Sequence, residues 1–206
     1  MYNIAITGGI GSGKTTATNI FKKFYNIEVI YADAITRTII QKPDIIVAIK
    51  KKFGEVTTKN NAINRSALKN IIIQDPNSRK WLEKLIHPRV RAHIKTLASA
   101  SRSSYTIIEV PLLTSEKVKK YYSYVKEIIY ITTALETRIQ RIKNRDKISE
   151  KIIKRILVAQ GKESDRKKIA NYIITNNGNL NFLKSIVNKI HLKIMLKLSK
   201  DFQGTN

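Results

Sequence analysis

The run Gly8-Gly9-Ile10-Gly11-Ser12-Gly13-Lys14-Thr15-Thr16 restricts what this chain can fold into more than any other stretch. It fits G-x-x-x-x-G-K-[ST], a loop that works only between a strand and a helix. Both neighbours are present. Residues 2–7 read as a short buried strand, and residues 15–25 as a helix with Ala17, Ile20, Phe21 and Phe24 at helical spacing. The glycines let the backbone turn with its N–H groups inward, a nest for phosphate oxygens at a helix N-terminus. Gly11, Ser12, Gly13, Lys14, Thr15 and Thr16 are therefore the predicted phosphate-binding residues. In such a loop the lysine, Lys14, reaches the β- and γ-phosphates, and the Thr15 hydroxyl is the predicted Mg²⁺ ligand. The predicted ligand is a nucleoside triphosphate.

Composition narrows the class further. With 206 residues the chain suits one core domain with insertions. No apolar run approaches the roughly 18 residues of a membrane span, and the only early apolar stretch is the strand feeding the loop, so neither a membrane nor a signal peptide is expected. The chain has no cysteine, which excludes disulfides, thiolate metal sites and a cysteine nucleophile. A cytoplasmic enzyme is the simplest expectation. The net charge of +24 raises a nucleic-acid partner as a rival. The lysines are spread through nearly every segment, however, and Ile, Lys and Asn are abundant together, the pattern that A- and T-rich codons produce. General compositional drift is the preferred explanation, with anionic small substrates next and no nucleic acid expected.

Residues 27–31 read as a second strand ending at Ala32-Asp33. Ligands of open α/β sheets sit beyond the carboxyl ends of the strands, so Asp33 is placed where a base for a substrate hydroxyl would stand. Its other reading is an N-cap for a helix beginning at Ala34, and both roles can hold in one residue. Residues 36–101 read as helical with no convincing core strand: Asn60-Asn61 is a turn signal, Ser66 a candidate cap, Asp75-Pro76 a helix start, and His87-Pro88 an interruption. An insertion there is how a kinase built on a P-loop acquires a site for its acceptor. Strands are expected over 105–110, 127–132 and 170–175. Glu109 at the end of the first of these is either a weak Mg²⁺-water candidate or a solvent-facing strand end. Thr132 or Thr133 is expected to cap a helix from Leu135, and Ser149-Glu150 another. These basic helices, with Arg138, Arg141 and Arg145, read as a lid closing over triphosphate, or as a solvated basic face. Asn176-Asn177-Gly178 is a turn signal before a last helix to about Leu198, and the polar tail after Lys200 is expected to fray. His87, His93 and His191 have neither zinc-ligand spacing nor a serine partner.

Taken in order, these pieces resemble the dephospho-CoA kinase family, from Ile4 to about Ile190. The matching stretches are Thr7 to Thr16, Ala32-Asp33, Ile63-Asn64-Arg65-Ser66-Ala67-Leu68, Trp81 through Leu85-Ile86-His87-Pro88, Val110-Pro111-Leu112-Leu113, Arg141 with Arg145, Ala159-Gln160 and Asn176-Asn177-Gly178. The loop alone is widespread; the ordered set is highly specific. The resemblance implies transfer of the ATP γ-phosphoryl group to the 3′-hydroxyl of dephospho-CoA, the last step of coenzyme A synthesis, with Mg²⁺. It implies Asp33 as catalytic base, Lys14 and Arg141 as charge stabilisers, and Arg145 as a further triphosphate ligand. Arg65 and His87, with Asp33, are implied on the acceptor side. The fold implied is α/β of the nucleoside-monophosphate-kinase type, a five-stranded parallel sheet with a helical substrate-binding insertion and a lid. The expected division is a core of 1–35, 102–137 and 169–206, a CoA-substrate domain of 36–101 and a lid of 138–168. A monomer and a homo-oligomer are both open. The chain departs from the family where Thr114-Ser115 follow Leu113 in place of Phe-Glu, at Asn60-Asn61, and at Asn171 and Thr175, where Asp is common. The rival functions are a kinase for another hydroxyl acceptor and a nucleic-acid-stimulated ATPase.

Overall fold

The computed structural model describes residues 1–60 and 62–203. Strand β1 (Asn3–Gly8) is buried along its whole length. A strand covered on both faces gains nothing from polar alternation, which is why Ile4-Ala5-Ile6 reads as a continuous apolar run. Strands β5 (Thr106–Glu109) and β6 (Val125–Thr132) pair with it in parallel, setting Ile6 opposite Glu109 on one side and Ile129 on the other. Strand β7 (Tyr172–Thr175) extends the sheet beyond β6, and β2 (Glu28–Tyr31) lies beyond β5, giving the order β2-β5-β1-β6-β7. The expected five-stranded parallel α/β architecture is what the chain forms.

Parallel neighbours need crossovers, and helices supply them. Helix α1 (Lys14–Tyr25) and the last helix, α10 (Leu180–Gln203), bury Ala17, Ile20, Phe21, Leu183, Val187, Ile190 and Ile194 in one core with Ile4, Ile6, Ile107, Ile129 and Ile131 of the sheet. Each of the Val, Leu, Ile and Phe side chains contributes about 1.5–3 kcal/mol when fully buried. Asn26 stops α1 in the left-handed region at φ 53°, which asparagine tolerates better than most residues. The Tyr105 hydroxyl lies 2.8 Å from His191 Nδ1, and Tyr25 stacks on the same imidazole at 4.1 Å. Burial raises the Tyr105 phenol and lowers the His191 imidazole, and the stacked, hydrogen-bonded ring packs α10 against α1. Helix α10 continues to Gln203, past the expected end at Leu198, while 204–206 lie outside the described residues.

The chain divides into two compact units, residues 1–30 with the chain from 100 onward, and residues 31–99. The second contains α2 (Ala32–Ile39), α3 (Pro43–Phe53), α4 (Arg65–Gln74) and nearly all of α5 (Pro76–Ala100). It differs from the sequence expectation in four ways. A small antiparallel hairpin, β3 (Thr58–Lys59) with β4 (Ala62–Ile63), flanks the expected turn, where no strand was expected. Asn60 turns it at φ 51°; Asn61, the other half of the turn signal, lies outside the described residues. The cap of α4 is Asn64, whose side chain accepts from Ala67 N at 3.2 Å, so Ser66 is already inside the helix. Helix α5 runs unbroken through Pro88. Proline removes one helical donor, and beside the gap the Arg89 guanidinium donates to the Leu85 carbonyl at 3.1 Å. Finally, α2 starts at Ala32, which puts Asp33 in its first turn and not at the cap. A carboxylate there still complements the helix dipole. The Asp75-Pro76 start does form: Asp75 accepts from Asn77 N and Ser78 N at 2.9 and 3.0 Å. These bonds, led by that from the Ser78 hydroxyl, hold its carboxyl below the usual range.

Candidate active site

Thr7 lies near the end of β1, and its hydroxyl accepts from Leu113 N at 3.0 Å. Leu112 adopts φ 50° to bring Leu113 into full burial. The Pro-Leu-Leu stretch thus braces the strand that delivers the glycine loop. Thr114 follows as the cap of a short helix missed in the sequence, α6 (Ser115–Tyr121), accepting from Lys117 N at 3.3 Å.

The loop closes into α1 through Gly13, which caps the helix at φ 96°. No side chain caps this end and no acidic residue occupies its first turn, so its amide donors are available to an anion. A Cβ on Gly13 would stand 2.2 Å from Asn176 Nδ2, and one on Gly9 would stand 2.2 Å from Arg138 Nη2. Any larger residue at either position would have to displace that partner side chain. The Lys14 ammonium bends back over the loop and donates to the Gly8 and Gly9 carbonyls at 2.8 and 3.0 Å. Thr15 and Thr16 are exposed at the helix start, whereas the buried Ser12 hydroxyl has no hydrogen-bond partner among the described residues. Glu109 is half-buried and accepts from Thr18 Oγ1 at 3.3 Å; it is not merely a solvent-facing strand end.

The basic segment after β6 forms α7 (Leu135–Asp146), α8 (Glu150–Ala159) and α9 (Glu163–Lys168). Neither Thr132 nor Thr133 caps α7. Ala134 holds that position, and Asn177 Oδ1 takes Ala134 N and the Thr133 hydroxyl at 2.8 and 2.7 Å. Ser149 stands at the cap position of α8 without a capping bond. Arg141 donates to the Asn176 carbonyl at 3.2 Å and the Gly11 carbonyl at 3.5 Å. Together with Gly13, Thr16, Asn176 and Leu180 it lines a cavity of about 190 Å³. Arg145 is exposed and grips Asp146 through Nε and Nη2 at 2.7 and 2.8 Å, which pulls the Asp146 carboxyl below its ordinary value.

Arg138, which the sequence marks only as one more lid cation, is buried. It pairs with Glu163 and donates to the Ile10 carbonyl at 3.1 Å and Gln160 Oε1 at 3.2 Å. Gln160 in turn accepts from Ile10 N at 3.1 Å. Periodicity gave no hint of this, because the partners are about 130 to 150 residues apart from the loop in sequence. Arg138→Ala should lower the free energy of unfolding by about 3 kcal/mol, since it strands the partly buried Glu163 carboxylate and frees the Ile10 carbonyl and the Gln160 side chain. Denaturant titration of the two proteins measures this; a loss below about 1 kcal/mol would assign the network a minor role.

Within the unit of residues 31–99, Arg65 and His87 come together on one cavity of about 290 Å³. Its floor is apolar, from Ile40, Leu68, Ile72, Leu82 and Ile86, and Thr36 also contributes to the wall. Asp33 stands one turn before Thr36 on the same face of α2, with an exposed carboxylate. Sequence reading found the polar residues here but not the apolar floor, whose members come from helices with no marked spacing between them.

A family model described as dephospho-CoA kinase matches residues 2–181. The chain belongs to the dephospho-CoA kinase family. A dephospho-CoA kinase of Aliivibrio fischeri is 35% identical over 178 residues, covering 85% of this chain and 96% of that protein. The solved structure of dephospho-CoA kinase from Campylobacter jejuni superposes with a TM-score of 0.68 at 25% identity, over 93% of this chain and 96% of that one. A shikimate kinase from Acinetobacter baumannii shares the fold at a TM-score of 0.55 and 19% identity, over 96% of this chain and 94% of its own. Dephospho-CoA kinases are phosphotransferases that carry out the final step of coenzyme A biosynthesis. Among the described residues no helix is long and apolar enough to cross a membrane.

Proposed function

We propose that this protein transfers the γ-phosphoryl group of ATP to the 3′-hydroxyl of the dephospho-CoA ribose, releasing ADP and coenzyme A. The observation that carries the reading is the family match across residues 2–181, which includes both the glycine loop and the helical insertion. In this reading the N–H groups of Gly11 to Thr16 bind the triphosphate. Lys14, Arg141 and Arg145 hold charge as the bond from Pγ to the β-phosphate oxygen breaks. Arg145 does so by exchanging Asp146 for phosphate. Asp33 takes the proton of the 3′-hydroxyl as that oxygen bonds to Pγ. Arg65 and His87 bind the acceptor, with the apolar cavity floor suited to its uncharged portion.

The residues fit magnesium. Thr15 offers an exposed hydroxyl at the start of α1, and the described residues contain no cluster of three acidic or histidine side chains. That suits an ion that retains waters and takes its other ligands from phosphate. When bound, Mg²⁺ supplies charge neutralisation on the β- and γ-phosphate oxygens. We place the enzyme in the cytoplasm, as a monomer or homo-oligomer with two soluble substrates, and invoke no nucleic acid.

Coupled measurement of ADP release tests the reaction, with product mass as confirmation. Dephospho-CoA should support turnover, while nucleoside monophosphates and shikimate should not. Robust transfer to either of the latter, with none to dephospho-CoA, would overturn the assignment.

A further inference from the structure

Asn176 belongs to a stretch that the sequence marks only as a turn, yet its side chain reaches across to the glycine loop. It is 4% exposed, and its Nδ2 donates to the Ser12 carbonyl at 2.9 Å. Its backbone is equally committed. The N–H donates to the Thr132 carbonyl at 2.8 Å, fixing the residue to the end of β6. The carbonyl accepts from Arg141 Nη2 at 3.2 Å and from the Thr133 hydroxyl at 2.8 Å. Turning the chain requires none of these bonds. The neighbouring Asn177 already ties the turn down through Ala134 N and the Thr133 hydroxyl.

A trans peptide sets its C=O and the next N–H in opposite directions. Holding the Ser12 carbonyl outward therefore holds the Gly13 N–H the other way. Gly13 sits at φ 96° and, as glycine, has wide conformational freedom, so an external bond on this peptide narrows its orientation. The same asparagine fixes the Arg141 guanidinium through its own carbonyl. We propose that Asn176 is a positioning residue: it orients the Ser12–Gly13 peptide and Arg141 toward one bound triphosphate. The inference rests on the proposed ATP site, but not on the identity of the acceptor.

The test measures dissociation constants for Mg²⁺-ATP and for inorganic triphosphate by displacement of a fluorescent ATP analogue. Asn176→Ala removes the donor, and Asn176→Asp keeps the shape while turning a carboxylate toward the Ser12 carbonyl. Asn177→Ala is the comparison for a turn that is merely weakened, and thermal melts verify folding in each case. Losing one buried neutral hydrogen bond should weaken both ligands about fivefold to tenfold in Asn176→Ala, with a larger loss in Asn176→Asp. Asn177→Ala should lower the melting temperature and leave both constants within about twofold. Equal losses in the Asn176 and Asn177 variants would reduce Asn176 to a turn residue. A loss for ATP without one for inorganic triphosphate would make it a base contact, and unchanged constants in a folded Asn176 variant would also overturn the proposal. Failure of the parent to phosphorylate dephospho-CoA would sink the acceptor assignment alone, because these constants are read without an acceptor.

Discussion

Asp33→Asn is expected to lower kcat about a thousandfold while ATP binds nearly as before, since general-base assistance is worth about 10²–10⁴. Asparagine matches aspartate in shape and can still occupy the first turn of α2. It cannot accept the proton that the 3′-hydroxyl loses as its oxygen attacks phosphorus. The Asp33 carboxylate is exposed and stands one turn before Thr36, which lines the apolar cavity with Arg65 and His87. Its loss should therefore be felt in turnover and not in the triphosphate loop. Steady-state rates at saturating substrates, paired with direct ATP titration, separate the two effects. Turnover equal to that of the parent would remove Asp33 from the role of base, and a parallel loss of ATP affinity would move it to the donor side.

Lys14→Ala should reduce kcat/KM for ATP by about 10²–10³, the cost of deleting one preorganised charge from a phosphoryl-transfer site. Two contributions add here. The ammonium opposes the charge on the β- and γ-phosphates, and it also draws the Gly8 and Gly9 carbonyls toward one point. Lys14→Arg separates them. A guanidinium keeps the charge, but its planar fork cannot reproduce a compact ammonium held by two carbonyls inside a tight loop. Arginine should recover less than about a tenth of the lost activity. Full recovery would show that charge alone suffices and that the carbonyl contacts are incidental.

The parts of this molecule legible in its sequence are those built from neighbours in the chain. The glycine loop, the apolar runs of β1, β5 and β6 and the amphipathic face of α1 each follow from local spacing. Asp33 is legible as a candidate from its place two residues past β2 together with the family resemblance of Ala32-Asp33. Local rules failed at exceptions to them nearby in the chain, and where a distant group completes the loop. Pro88 reads as a break, yet α5 continues through it, with Arg89 bonded to the Leu85 carbonyl beside the lost donor. The hairpin of β3 and β4 is too short to carry an alternating pattern. Gln160 and Asn176 reach the loop from 150 and 164 residues away, a relation that no window of sequence can contain.

The buried basic side chains have a consequence for how such a chain can change over generations. Of 206 residues, 39 are lysine or arginine, and among the described ones only Arg138 and Arg166 are buried. On the surface, exchange of one cation for the other alters little. At 138 the fork serves Ile10, Gln160 and Glu163 at once, and at 166 it spans the Gln160 and Gly161 carbonyls. A lysine cannot present that planar array of donors. These two positions therefore have a physical reason to hold arginine. The buried interior of the helical segment after β6 thus limits how freely lysine can replace arginine in this chain.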